Sequence, residues 1–107
     1  MADEERFGGL RKGLLEFAIL RIIERQSVYV ADMLAKLSAT PFATQEGTLY
    51  PLLSKLRRDE LLDYEWVESD QGPPRKYYRL TPKGAGRLQD LADYWRQLDS
   101  TLDNLGR

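Results

Sequence analysis

The fold is decided by the stretch Gly47-Thr-Leu-Tyr-Pro-Leu-Leu-Ser-Lys-Leu56, in which apolar residues recur at helical spacing. The leucines at positions 49, 52, 53 and 56 share one face of a helix, and the polar residues lie mostly on the other. Threonine is a favourable N-cap residue, and Thr44 lies just ahead of this pattern. We therefore predict a helix from Thr44 to about Arg58.

Pro51 conflicts with a continuous helix across this stretch. Proline lacks a backbone N–H, and its ring clashes with the carbonyl one turn earlier. Two arrangements remain open. Either the helix begins near Thr48, with Pro51 in its first turn, or it begins at Thr44 and bends, which the missing Cβ of Gly47 would ease.

Two further helices are predicted ahead of this stretch. Apolar residues spaced one turn apart between Leu10 and Arg25 predict a first helix that is buried over a broad face. A short β-rich break at 27–29 follows, and Val30–Leu37 then has the spacing of a second helix. Residues 1–9 contain three acids and two glycines, and we expect them to form a flexible N-terminus.

After the stretch the period of the pattern changes from 3.6 to 2. Aromatic-rich segments at 64–68 and 77–80 flank the turn-forming run Asp70-Gln-Gly-Pro-Pro74, and this predicts a β-hairpin. Thr81 and Pro82 suit the N-cap and first residue of a last helix. The apolar residues of that helix follow an a/d heptad pattern: Leu88, Leu91, Trp95, Leu98, Leu102 and Leu105.

This order of elements is that of a winged helix-turn-helix. In that arrangement the third helix enters the DNA major groove, and the hairpin, or wing, lies along the phosphate backbone. We predict an α+β, mostly α fold with a two-stranded wing and a long C-terminal dimerisation helix. The predicted DNA-binding domain is 10–81, and the dimerisation helix is 82–107.

The total charge argues against a nucleic-acid partner, but the distribution of charge does not. Sixteen Lys and Arg residues against seventeen Asp and Glu give a net charge of −1, whereas nucleic-acid-binding domains are often strongly basic. Between Gln71 and Gln89, however, the chain has no acid and five bases: Arg75, Lys76, Arg79, Lys83 and Arg87. Such a run is either a solvated face or a surface for phosphates.

The composition excludes several classes of function. With no cysteine and no histidine, the chain lacks disulfides, thiolate nucleophiles, the usual general base and the commonest transition-metal ligands. Its carboxylates have no distinctive spacing, so we expect no enzyme, no catalytic residue, no metal and no cofactor. No apolar run is long enough to cross a membrane, and MADEERFGG is unlike a signal peptide. We therefore expect no membrane partner and a cytoplasmic, nucleoid-associated protein.

Two motifs resemble the PadR family of bacterial transcriptional regulators. They are the GTLYPLL segment at 47–53 and the segment Gly72-Pro-Pro-Arg-Lys-Tyr-Tyr-Arg-Leu-Thr-Pro-Lys-Gly84. The resemblance covers about 10–105 and includes Leu61-Leu62 and Trp66. It implies a winged helix-turn-helix, homodimerisation through the C-terminal region and repression at inverted-repeat operators on double-stranded DNA. The length resembles the short form with a single long C-terminal helix.

The resemblance also implies roles for residues at the DNA surface. Thr48 and Tyr50 match positions that contact phosphates or base edges, although Tyr50 packing on the core and Thr48 capping the helix is the alternative. Gln45 is a candidate base reader, since amide side chains pair with adenine, and Lys55 is a candidate backbone contact. At the wing tip, Arg75 and Lys76 are the expected phosphate contacts.

The heptad of the last helix predicts a dimer seam of Leu88, Leu91, Trp95, Leu98 and Leu102. An intrachain core helix is the alternative, but it would have to account for the full length of the pattern. In some short PadR-like proteins a matching tryptophan faces its symmetry mate across a pore in which flat aromatic compounds stack. Trp95 is therefore a candidate ligand-binding residue for a small aromatic effector, or else ordinary interface packing.

The resulting hypothesis is a homodimeric, sequence-specific DNA-binding repressor. The alternative is a winged helix that serves as a protein-interaction module without DNA binding. The two are distinguished by salt-dependent affinity for DNA, which the second would lack.

Overall fold

The computed structural model describes residues 6–107, which form four helices and a two-stranded antiparallel sheet. The elements in chain order are α1 (Gly8–Ile22), α2 (Val30–Leu37), α3 (Glu46–Arg58), β1 (Leu62–Ser69), β2 (Gly72–Leu80) and α4 (Pro82–Leu105). The predicted α+β, mostly α winged helix-turn-helix with a long C-terminal helix is confirmed. Residues 1–5 of the predicted flexible N-terminus lie outside the described residues.

One hydrophobic core joins all of these elements. The largest fully buried side chains come from α1, α2, α3, the start of β1 and the residues next to these elements: Ile19, Leu20, Ile23, Val28, Met33, Leu49, Leu53, Leu56, Leu61 and Leu62. The inner face predicted for the third helix is correct, since three of its leucines are buried and Leu52 packs against them half-buried. The outer face of α3 is thereby left to solvent.

The start of α3 differs from both predicted arrangements. Thr44 is not the N-cap; Gln45 occupies that position with an extended backbone, and its carbonyl accepts the N–H groups of Thr48 and Leu49, each at 3.0 Å. Pro51 therefore lies beyond the first turn of the helix. In a regular helix the N–H of residue 51 would donate to the Gly47 carbonyl, and proline has no such group. Gly47 is exposed and has open space on its Cβ side, so solvent can reach this part of the helix.

The wing is longer than predicted, because the strands extend into the supposed turn. The turn consists of Asp70 and Gln71, and Gly72–Pro74 belongs to β2. The prolines are tolerated where the strand register shifts between Val67 and Ser69, since a bulge or an edge requires no ladder N–H from proline. The predicted short strand at 27–29 is a single bridge, with Val28 and Tyr78 exchanging N–H···O bonds of 3.0 and 2.8 Å.

The end of α3 and the start of α4 are held together by contacts at the base of the wing. Glu60 adopts a φ of 63°, and the following Leu61 N–H donates to the Leu56 carbonyl at 2.9 Å, which closes the end of α3. The Thr81 hydroxyl donates to the Glu60 carbonyl at 2.6 Å and accepts the Gly84 N–H at 3.0 Å, so that the predicted N-cap of the last helix is confirmed.

Gly84 is required at this junction because α4 lies directly against the backbone of Leu61. A Cβ on Gly84 would lie 1.8 Å from the Leu61 carbonyl oxygen. We expect Gly84→Ala to lower the free energy of unfolding by about 3 kcal/mol or more, since overpacking against backbone cannot be relieved by a rotamer change. Urea denaturation monitored by circular dichroism measures this change.

Gly86→Ala is the matched control, because a Cβ at Gly86 meets nothing within 4 Å in the same helix. It should raise the stability by about 0.4–1 kcal/mol, as expected for Gly→Ala in a helix interior. Equal effects of the two substitutions would contradict the described packing of α4 on Leu61.

Candidate nucleic-acid interface

The outer face of α3 presents the predicted DNA-contacting residues to solvent. Gln45, Thr48, Tyr50 and Lys55 are all exposed, and the Tyr50 side chain retains 45% of its accessible surface. Tyr50 is thus not packed in the core, and no side chain caps the helix, so Thr48 does not act as a cap. The face opposite the buried leucines is therefore available to a partner.

Two clefts flank the beginning of α3, and three of these four residues line them. Gln45 and Thr48 line a cleft shared with the first turns of α1. Tyr50 lines a second cleft of ≈ 560 Å³ together with Arg75 and Lys76 of the wing. The structure thus brings Tyr50 together with the two wing bases, while Lys55 lies near the far end of α3.

Aromatic rings support both wing bases. The Arg75 guanidinium lies 4.7 Å from the centre of the Tyr29 ring, and Tyr29 in turn packs against Tyr77 at 5.3 Å. The Lys76 ammonium lies 4.5 Å from the ring centre of Tyr64 and 5.3 Å from that of Trp66. Cation–π contacts of this kind are worth about 0.5–1 kcal/mol at exposed sites, so they favour defined positions for the two charges.

The tyrosines at 77 and 78 lie on opposite faces of β2. Tyr78 is buried, and burial raises the pKa of its hydroxyl above the usual value, to which the nearby Tyr50 and Tyr64 contribute. Tyr77 is half-buried against Tyr29. Trp66 contacts Tyr64 edge-on at 6.2 Å but remains 62% exposed on the wing.

The basic surface is smaller than the sequence indicates. Arg79 donates to Asp63 at 2.8 Å and lies 3.6 Å from Glu65, and the hydrogen bond to Asp63 raises the Arg79 pKa. Arg87 pairs with Glu16 at 3.5 Å. Within residues 6–107, Arg75, Lys76 and Lys83 are the bases of this run without an acidic partner.

The last helix divides into a packed half and an uncovered half. Leu88 is 4% exposed and belongs to the chain's own core, with Leu91 half-buried against it. For Leu88 the intrachain alternative therefore holds, because its side chain is already enclosed within a single chain. Large apolar side chains beyond it are exposed: Tyr94, Trp95, Leu98, Leu102 and Leu105.

Trp95 borders a shallow apolar groove of ≈ 300 Å³ against α1. The groove is walled by Leu14, Phe17, Ala18 and Arg21 of α1 and by Phe42 of the loop before α3. These residues are far apart in sequence, so the heptad pattern alone gives no indication of the groove. Trp95 is 42% exposed.

Other kinds of site have no support in the described part of the chain. Among residues 6–107, no group of three or more Asp or Glu side chains is placed to hold a metal ion. In the same range, no helix has both the length and the apolar character needed to cross a membrane.

Sequence reasoning missed two features of this surface. Tyr29 supports Arg75 across the gap between α2 and the wing, and its place just before α2 gave no sign of that contact. Arg11 donates to the Ala43 carbonyl at 3.2 Å, which places it and Lys12 beside Gln45 and Thr48. Both contacts join distant parts of the chain, so no local pattern predicts them.

Comparison with known proteins identifies this arrangement. The model of the transcriptional regulator PadR-like family matches residues 19–90. A PadR-like transcription factor from Bacteroides fragilis is 44% identical, with a TM-score of 0.81, and the match covers 94% of this chain and 98% of that one. A PadR-like transcriptional regulator from Bacillus cereus is 36% identical, with a TM-score of 0.82, over 91% and 95% of the two chains.

A third solved structure has a lower identity but a similar fold. The PadR family transcriptional regulator from Eggerthella lenta is 29% identical, with a TM-score of 0.84, and the match covers 95% of this chain and 89% of that one. An uncharacterised protein from Lysinibacillus sphaericus is 27% identical over 95 residues, which is 86% of this chain and 87% of that protein.

Proposed function

The chain belongs to the PadR-like family of transcriptional regulators, and on that premise we propose that it is a homodimeric repressor of an inverted-repeat operator. The family implies DNA-binding regulation rather than enzymatic activity. The single observation that carries the proposal is the exposed face of α3 beside a wing whose two unpaired bases rest on aromatic rings.

In this proposal α3 enters the major groove and the wing follows the phosphate backbone. Gln45 and Thr48 reach base edges or adjacent phosphates, and Tyr50 and Lys55 contact the backbone. Arg75 and Lys76 bind phosphates next to Tyr50. The rings beneath them reduce the conformational freedom lost on binding, which favours affinity.

The proposed second copy covers the exposed half of α4. Exposed apolar side chains in a continuous row mark protein interfaces, and Leu98 and Leu102 retain 38% and 68% of their surface. The unit at 10–81 would then bind DNA and the helix at 82–107 would dimerise. Leu91 and Trp95 lie where the intrachain core meets this seam.

Removal of both wing bases tests the proposed phosphate contacts. The double substitution Arg75→Ala/Lys76→Ala should reduce the slope of log K against log salt concentration by about 3.6, because the proposed dimer loses two phosphate contacts in each chain at about 0.9 per contact. Operator affinity at about 0.1 M salt should fall more than tenfold. Fluorescence anisotropy with a duplex selected by the wild-type protein from a random pool measures both.

Arg25→Ala/Lys36→Ala is the matched control, because these exposed bases line a different groove, beside Glu24 and Gln26. It should leave the salt slope almost unchanged. If the wing variant binds as tightly as the control while both remain folded, the wing does not contact phosphates. If the wild type shows no salt-dependent DNA binding, the protein-interaction module is the better description.

A charge placed in the seam tests the proposed dimer. Leu102→Asp places a charge at an a position of the heptad and should convert the dimer to a monomer in sedimentation velocity. Operator affinity should also fall, since a monomer would bind each half-site separately. Ser100→Asp adds the same charge at an f position, outside the a/d seam, and should leave the dimer intact. A dimeric Leu102→Asp variant would contradict the proposed seam.

We also propose that the groove at Trp95 accepts a small planar aromatic effector. Its walls combine Trp95 with two phenylalanines, and Arg21 is the one charged residue that lines it, so most of the groove suits ring stacking. An effector there would act by favouring one arrangement of the two chains, and only to the extent that it binds one state more tightly.

Single-tryptophan variants test this part of the proposal. The chain has two tryptophans, so Trp66→Phe leaves Trp95 as the reporter and Trp95→Phe leaves Trp66. Acridine orange should quench the fluorescence of the first variant and not of the second, at equal protein concentration. Equal quenching, or none, would assign Trp95 to ordinary interface packing.

A further inference from the structure

The cleft between α1 and the start of α3 contains two bases that the proposed DNA interface does not use. It has a volume of ≈ 620 Å³, and its lining includes Arg11 and Lys12 from α1 as well as Gln45 and Thr48. The last two residues are proposed to face DNA. Any duplex that they contact must therefore pass close to the first turns of α1.

Arg11 connects the two sides of this cleft. One terminal nitrogen, Nη1, donates to the Ala43 carbonyl at 3.2 Å, which fixes the chain just before Gln45 relative to α1. The Nε atom is buried and has no hydrogen-bond partner within the described residues. Arg11 therefore acts mainly as a positioning residue for the segment that leads into α3.

Lys12 is the exposed charge of the cleft. It has no ion pair within residues 6–107. Glu16 lies one turn further along α1, where it would be the natural partner of Lys12, but it pairs with Arg87 at 3.5 Å. This leaves the ammonium group available, and a lysine on a flexible stem is a common partner of phosphate.

We propose that Lys12 binds a phosphate of the DNA backbone beside the groove that α3 enters, with Arg11 positioning the segment before α3. The inference rests on the proposed function and extends it to α1. Together with Arg75 and Lys76 in the second cleft, Lys12 places positive charge on both sides of the beginning of α3. The duplex is then held from both sides of the recognition helix.

Replacement of one charge tests the proposal. Lys12→Gln should lower affinity about 60-fold at 0.1 M salt and reduce the salt slope by about 1.8, the values for two lost phosphate contacts, one in each chain of the proposed dimer. The loss should be equal for the selected operator duplex and for a scrambled duplex of the same length, since a phosphate contact carries no sequence information. Lys12→Arg should restore affinity to within about twofold.

Lys36→Gln is the matched control, because Lys36 is an exposed helical lysine that lines a different groove. The proposal is overturned if Lys12→Gln and Lys36→Gln have equal affinities and slopes while wild-type binding remains salt-dependent. It is also overturned if Lys12→Gln lowers affinity only by lowering the melting temperature or dissociating the dimer. Absence of wild-type DNA binding would instead overturn the proposed function itself.

Discussion

The hydroxyl of Thr81 makes the contact on which the positions of wing and C-terminal helix depend. It donates to the carbonyl of Glu60 at the end of α3 and accepts the N–H of Gly84 at the start of α4. The Thr81 N–H also donates to the Leu61 carbonyl at 3.2 Å. Because β1 begins at Leu62 and β2 ends at Leu80, these bonds fix the base of the wing and both neighbouring helices at one point.

The candidate interface is built outward from that point by two different forces. Burial of the leucines on the inner face of α3 sets the rotation of the helix and so exposes Thr48 and Tyr50. The wing has little core of its own beyond Tyr78, and its outer part is organised by aromatic rings and cations instead. The hydrophobic effect thus orients the helix, while weaker directional contacts orient the charges of the wing.

Elements governed by local sequence could be predicted, and contacts between distant residues could not. The periodicity of Val30–Leu37 and the Thr81-Pro82 pair gave α2 and the start of α4 correctly, because propensity and capping act within one turn. The position of the wing turn depended on strand register, which placed Pro73 and Pro74 in β2. From the sequence, Arg79 and Arg87 were expected to belong to the basic surface, but each pairs with an acidic side chain on another element. Leu88 fits the heptad pattern whether it lies in a dimer seam or in the core of one chain. In the structure α4 packs on α1, and Leu88 belongs to the core.

The partial burial of α4 has a mechanical consequence. Its first turns are fixed at the junction and by Leu88 and Ala92, while the remainder extends beyond the core, and the chain measures 58 Å along its longest axis. The 13 residues from Asp93 to Leu105 span about 20 Å, so a bend of about 5° after Ala92 moves the far end of the helix by about 2 Å. In the proposed dimer the same bend would change the distance between the two α3 helices. The stiffness of this uncovered half of α4 would then limit which half-site spacings the two wings of the proposed dimer can span.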